Sequence, residues 1–292
     1  MKLAILGAAS SWYVGDLTRA AAGRHEVTPV TYSQLASSVT SDALGVSSGE
    51  VDLNSMDALL VRSMPPGSLE QVVFRMDALA RLETSGVKVV NSPKACETAI
   101  DKYLTTAKLQ AAGLKVPDTF VCQTWEQGIE AFEQLGGDVV VKPLFGGEGR
   151  GITRVNDPAI ALRVMKTLAQ LGSVLYLQKF IPHQGHDLRL LVIGDQVLGM
   201  KRTNADDWRT NVALGAKGEP LEVTPPLAGL AKKAVEAVGA EIAGVDLLPG
   251  PDGELYVLEV NAVPGWRALK RVTDVDIAKR VLEYVESKVA AT

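Results

Sequence analysis

Cysteine is almost absent: the 292-residue chain carries two, Cys96 and Cys122, and neither has a Cys or His neighbour at metal-ligand spacing. That excludes a disulfide framework and a zinc ribbon, and fits buried free thiols in a reducing compartment. Long apolar runs are missing too. Nothing approaches the ~20 residues a membrane span needs, and MKLAILGAAS, with one lysine and a very short apolar stretch, reads as a first buried strand rather than a secretory signal. A cytoplasmic protein is expected. The net charge of -4 offers no long-range pull on nucleic acid. No G-x-G-x-x-G follows the first strand, which argues against a dehydrogenase, and no glycine-rich loop ends in GK[ST], which excludes a P-loop. There is no candidate Ser-His-Asp set, no internal repeat and no low-complexity tract.

Hydrophobic residues make up 47% and charged residues 22% of a chain long enough for two or three lobes. Residues 3–6, 27–30, 57–62 and the VKVVNS segment read as strands. Helical patterns over 15–22 and in SLEQVVFRMDALARLETSG alternate with them, which predicts a parallel sheet in the first ninety residues. The Ser-rich stretch 34–54 has no periodicity and is expected to be loop. Asp101 caps a helix that Gly113 ends; Thr124 and Gln127 form a capping-box signature; Asp157-Pro158 opens a third helix. LYLQKFI, DLRLLVI, QVLGMKR, AGVDLL and ELYVLEV predict a mostly antiparallel sheet, interrupted by a helix around 227–238 and followed by a last helix over 274–289.

Glu259 and Asn261 sit two apart on the apolar strand LYVLEVN and therefore share a face. Upstream, Asp252-Gly253 is a favoured pair for a two-residue hairpin turn. That turn sets Pro251 opposite Glu254, Leu248 opposite Val257 and Asp246 opposite Glu259. Two carboxylates held ~5 Å apart at Cβ repel unless a cation or a proton lies between them. With the amide oxygen of Asn261, the set is all hard oxygen, which suits Mg²⁺ completed by substrate phosphates. VVVKPLFGGEGRGI adds Lys142 at a strand end and a loop with Gly146, Gly147, Gly149 and Gly151, whose backbone N–H groups can approach an anion closely. The bland alternatives are a solvated hairpin and an ordinary glycine-rich turn. His183 and His186 read as exposed loop residues.

Taken together, DKYLTTAKLQAAGLKVPDT, VVVKPLFGGEGRGI, LQKFIPHQGHDLRLLVIG, MKRTNADDWRTNVALGA and GVDLL…LEVN resemble the ATP-grasp superfamily and, within it, the RimK-type glutamate ligases. The similarity is collinear over residues 91–266. PPGSLEQVVFRMDALARLETSGVKVVNS looks more like the branch that adds glutamate to tetrahydromethanopterin-type one-carbon carriers than the branch acting on a ribosomal protein tail. The resemblance implies an α/β ATP-grasp fold with three parts: an N-terminal parallel-sheet domain (1–92), a central α+β lobe with a glycine-rich lid (93–175) and a C-terminal α+β lobe with the metal site (176–292). It implies that Lys102 and Lys142, with Gly146, Gly147 and Gly149 of the lid, contact the phosphates of ATP. Gln178, Lys179 and Ile181 would form the adenine hinge, and Asp187 would accept from the ribose hydroxyls. Asp246, Glu259 and Asn261 would hold Mg²⁺ or Mn²⁺, and Arg189, Arg202, Arg209 and Asn211 would line the phosphate and substrate side. Lys179 stands where many relatives have Glu, so no side-chain role follows for it.

The expected chemistry is conversion of a carboxylate to an acyl phosphate by ATP and its displacement by an amine, with release of ADP and phosphate. L-glutamate is the expected amine and a pterin-type carrier the expected acceptor. A protein C-terminus or a carrier protein of LysX-like lysine biosynthesis are the alternatives, and a homo-oligomer is expected. A nucleotide-binding module without turnover is the reading from another class; the presence of both lysines and all three oxygen ligands argues against it.

Overall fold

Strand β1 (Lys2–Leu6) is buried on both faces, so its side chains feed two cores: Leu3 and Ile5 enter one, Ala4 and Leu6 the other. The computed structural model describes residues 1–147 and 149–291; Glu148 of the glycine-rich loop and Thr292 lie outside the described residues. After β1 come α1 (Trp12–Ala21) and β2 (Glu26–Val30), which pairs with β1 in parallel. The stretch expected to be loop instead forms a small antiparallel sheet of β3 (Leu35–Val39), β4 (Leu44–Ser48) and β5 (Val51–Asp52). Its serines carry no apolar alternation, and Leu35 and Val46 are its buried hydrophobic anchors. Strand β6 (Ala58–Val61), α2 (Leu69–Thr84) and β7 (Lys88–Val90) complete an all-parallel sheet in the order β2-β1-β6-β7. Ser68 and Gln71 close a reciprocal capping box at the start of α2.

Helix α3 (Pro93–Ile100), which the sequence patterns did not reveal, and α4 (Lys102–Ala111) follow. Asp101 caps α4 by accepting from the Leu104 N–H at 3.0 Å. The next lobe has β8 (Thr119–Cys122), α5 (Trp125–Gln134), β9 (Val139–Lys142), β10 (Thr153–Val155), α6 (Pro158–Gln170) and β11 (Leu175–Lys179), with an antiparallel sheet ordered β10-β9-β11-β8. The last part has β12 (His186–Ile193), β13 (Gln196–Thr203), β14 (Lys217–Pro220), α7 (Pro225–Val238), β15 (Ile242–Pro249), β16 (Leu255–Asn261) and α8 (Ile277–Ala290). Its antiparallel sheet runs β14-β13-β12-β15-β16.

Two of the three cores are shared. One joins a face of the parallel sheet, α2, α3 and α7 to Val245, Val257 and Val260; the other joins the opposite face to Leu191, Trp266 and α8. The central lobe has a core of its own, drawn from Ala131 to Leu177. Helices α3 and α4 contribute Cys96 and Leu109 to the first core rather than to the central one.

Candidate active site

The hairpin of β15 and β16 places Asp246 opposite Glu259 and Gly244 opposite Asn261. The pairing at Asp246 is as expected, but the route to it differs. The turn is longer than two residues, with the Gly250 N–H donating to the Glu254 carbonyl at 2.8 Å and Leu255 pairing with Pro249. Val257 therefore meets Leu247, not Leu248, and a bulge at Leu258 restores the register before Glu259. The bulge has a direct consequence for the site. Val257 and Val260 both point into the core, while the consecutive residues Leu258 and Glu259 both line the cleft.

One cavity collects most of the expected site: Lys102, Lys142, Gln178, Lys179, Ile181, Asp187, Arg202, Arg209, Asn211, Asp246 and Glu259 line it. Strict strand alternation turns Leu258 away from Glu259, so the cavity's apolar wall of Val140, Ile152, Leu248 and Leu258, with Trp208, was not foreseen. Arg189, Asn261 and Gly146, Gly147 and Gly149 do not line the cavity; most of them act at its edges.

Arg189 lies directly opposite Asp246 on β12 and donates Nη1 to Asp246 Oδ1 at 2.6 Å. Its guanidinium rests over Gly244, where a Cβ would overlap it. Arg202 pairs with Asp246 Oδ2 at 2.9 Å and grips Asp187 through Nε at 2.7 Å and Nη2 at 2.5 Å. Burial opposes ionisation of Asp246, but the charges and hydrogen bonds of Arg189 and Arg202 overcome it and hold the carboxyl down at about 2. Burial pushes Asp187 up, with Arg202 acting against it. Both Asp187 oxygens already serve Arg202, which makes Asp187 a positioning group as well as a candidate acceptor for a ligand hydroxyl.

Lys142, at the end of β9, donates to Gln178 Oε1 at 2.5 Å, while Gln178 Nε2 is anchored on Thr119 and Tyr176 at 3.0 and 3.2 Å. Burial pulls the Lys142 ammonium down to about 8, and the like charge of Lys102 adds to this against Glu259 and Asp246. Lys102 is also lowered by burial, opposed by Glu259 and Asp101. Its Nζ donates to the Gly146 carbonyl at 2.5 Å. At the other end of the loop, a Cβ on Gly149 (φ +74°) would lie 2.6 Å from Asn211 Oδ1. The glycine-rich loop thus touches Lys102 on one side of the cleft and Asn211 on the other.

Arg209 is paired with Asp207, with Nη2 to Oδ2 at 2.6 Å. The half-buried His183 ring accepts from the Gly185 N–H through Nδ1 at 3.2 Å, so it has a local structural job. Among the described residues no group of three or more His, Cys, Asp and Glu side chains forms a metal cluster. The donor set of Asp246, Glu259 and Asn261 nevertheless fits Mg²⁺, which is held by one or two carboxylates plus substrate phosphates rather than by an all-protein cage. No hydrogen bond or ion pair closes on Glu259 among the described residues, and Asn261 Oδ1 accepts only from the Val263 N–H, at 2.8 Å.

Solved structures share this architecture. The ATP-grasp ligase PsnB, complexed with a minimal precursor, superposes with a TM-score of 0.78 at 22% identity over 98% of both chains. The RimK domain ATP-grasp protein from Sphaerobacter thermophilus does so at 0.73 and 25% identity, covering 98% of this chain and all of that one. The fold is therefore ATP-grasp, the fold of ATP-dependent ligases that form C–N bonds, and the chain is a ligase of that class. Residues 99–285 match the RimK-like ATP-grasp domain, and the chain belongs to that family. It is 32% identical to the tetrahydromethanopterin:alpha-L-glutamate ligase of Methanosarcina acetivorans over 268 residues, 82% of either chain. It is 29% identical to the glutamate–LysW ligase ArgX of Sulfurisphaera tokodaii over 240 residues, 80% of this chain and 83% of that one. Ligases of this fold use ATP and Mg²⁺, as the PsnB complex with Mg and ADP illustrates.

Proposed function

We propose that the protein joins the α-amino group of L-glutamate to a carboxylate of a tetrahydromethanopterin-type one-carbon carrier, through an acyl phosphate made at the expense of ATP. The observation that carries the reading is the convergence on one cavity of Lys102, Lys142, Arg202, Asp246 and Glu259, which arrive from five separate elements. The substrate assignment draws on the 32% identity to the Methanosarcina acetivorans ligase.

In this reading Lys102 and Lys142 neutralise phosphate oxygens as the γ-phosphoryl group moves in line to the acceptor carboxylate. Gln178, Lys179 and Ile181 seat the adenine, and Asp187 presents its free lone pairs to the ribose while holding Arg202. Asp246, Glu259 and Asn261 would hold Mg²⁺, or Mn²⁺ in its place, and the ion would supply charge neutralisation for the phosphates. Arg202, Arg209 and Asn211 surround the reacting carboxylate while Arg189 acts through Asp246, and the loop with Gly146, Gly147 and Gly149 excludes water that would hydrolyse the acyl phosphate. The division into 1–92, 93–175 and 176–292 assigns the lid to the middle part. A cytoplasmic, homo-oligomeric enzyme with no nucleic-acid partner fits the free Cys96 and Cys122 and the lack of any membrane-crossing helix among the described residues; light scattering tests the oligomer.

The relation to ArgX favours a second acceptor, a LysW-type carrier protein. Incubation with ATP, Mg²⁺ and L-glutamate plus either tetrahydromethanopterin or a LysW-type carrier separates the two. The proposal expects glutamyl mass gain on the pterin together with ADP release. Gain on the carrier protein alone moves the enzyme to the second reading, and no ADP release with any acceptor overturns both.

A further inference from the structure

Arg62 is a buried cation without an anion. It follows β6 directly, is 8% exposed, and among the described residues no carboxylate pairs with it. Its Nη2 donates to the Pro264 carbonyl at 2.7 Å, and its guanidinium carbon lies 4.4 Å from the Trp266 ring centre and 5.3 Å from that of Tyr13. Nε has no acceptor. Cation–π contacts offset part of the desolvation of such a charge, but a buried guanidinium with an orphan N–H remains expensive. Burial pulls it down only to about 10, so it stays charged at neutral pH.

Its position is the second observation. Strands β1 and β6 are neighbours, and the chain leaves β1 towards β2 on one side before returning to β6 on the other. The crevice beyond their C-terminal ends is the switch point at which open parallel sheets bind ligands. Helix α1 starts at this crevice, and its N-cap Ser11 makes no side-chain bond to the first turn, which leaves that end electropositive. Tyr13, which stacks on Arg62, belongs to that first turn. The aromatic floor is rigid, because Trp266 Nε1 donates to Asp16 at 3.2 Å and Lys270 holds the same carboxylate at 2.6 Å. Ala9, in the loop between β1 and α1, and Gly265, beside Trp266, are exposed. Pro264 is three residues past Asn261, so at ~3.3–3.6 Å per residue the crevice opens within about 10 Å of the metal corner.

We propose that Arg62 and the N-terminus of α1 form a second anion subsite, which receives a carboxylate of L-glutamate or of the acceptor and so orients that substrate towards the acyl-phosphate centre. The identity of the substrates rests on the ligase reading above; the subsite itself does not. The test is calorimetric titration of the Mg·ADP-loaded protein with L-glutamate and with glutarate, a dicarboxylate that lacks the amine. At least one probe binds the wild type, and Arg62→Gln weakens it tenfold or more while ADP affinity stays within twofold. Should Arg62→Gln fail to fold, Ala9→Asp decides: it leaves the core untouched and sets a negative charge in the crevice, and the same loss is expected. Loss for L-glutamate assigns the amine substrate to the subsite; loss for glutarate alone assigns the acceptor. Wild-type binding of both probes by the folded variants, or no binding of either probe to the wild type, overturns the subsite. Absence of ADP release with every acceptor, alongside Arg62-dependent probe binding, would instead overturn the ligase substrates and leave the subsite standing.

Discussion

A carboxylate that faces a cleft and accepts no hydrogen bond contributes little to holding the fold, and among the described residues Glu259 is in that state. Asp246, its cross-strand partner, is clamped by Arg189 and Arg202 at 2.6 and 2.9 Å. The two substitutions therefore separate chemistry from stability. Glu259→Gln should lower kcat/KM by about 10²–10³, the scale of losing a preorganised charge at a developing phosphate, while Tm moves by no more than about 2 °C; a variant with wild-type turnover would sink the metal corner. Asp246→Asn should lose activity and Tm together, because two buried guanidinium groups lose an anion. Lys142 makes a pH prediction. Its free-protein pKa is pulled down to about 8 by burial, and a bound triphosphate favours the protonated form. Nucleotide affinity is then greatest below pH 8 and falls as pH rises through it, by about tenfold at pH 9. Fluorescent-nucleotide titrations from pH 6.5 to 9.5 read this, and Lys142→Met should flatten the profile at the weak-binding end.

At the scale of elements, the hairpin explains why some of the site was legible and some was not. Asp246 faces Glu259 because two departures from the simplest reading cancel. The longer Gly250–Glu254 turn shifts the register by one, and the Leu258 bulge shifts it back. Parallel strands such as β1 and β6 were visible because Leu3–Leu6 and Ala58–Val61 are unbroken apolar runs, and α4, α5 and α6 because their caps are written in Asp101, Thr124 and Asp157. The Ser-rich β3–β5 sheet and α3 carry neither signal. The Arg189–Asp246–Arg202–Asp187 chain spans three strands, and no spacing in one segment discloses it. Gly244 belongs to the same class of hidden residues: it matters only because Arg189 on the neighbouring strand crosses it. Gly244→Ala should push the Arg189 guanidinium off Asp246, raise the carboxyl above its present value of about 2 and cost at least tenfold in kcat/KM. Near-wild-type kinetics together with an unshifted Asp246 titration by NMR would show that Arg189 does not depend on that gap.

On the scale of the molecule, the central lobe keeps its own core while the flanking parts share two. The cleft lies between them: Lys142 and Gln178 come from the central sheet, Asp246 and Glu259 from the large one. The central core is separate from the other two, so a nucleotide that touches both walls should act as a strut. ADP at a hundred times its Kd adds about 2.7 kcal/mol to the folded state, worth roughly 5–10 °C at 2–4 °C per kcal/mol. The share due to the metal is separable. On the proposed roles, ADP alone would engage Lys142 of the central sheet, whereas a metal held by Asp246 and Glu259 would add the tie to the opposite wall. Mg·ADP should therefore raise Tm beyond ADP alone in the wild type. In Glu259→Gln the ADP increment should persist and the extra Mg²⁺ increment should vanish; in Lys142→Met both should shrink. Equal shifts for ADP with and without Mg²⁺ in the wild type would mean that the two walls are not joined through a metal, and the division of labour between the lysine side and the carboxylate side would fall with it.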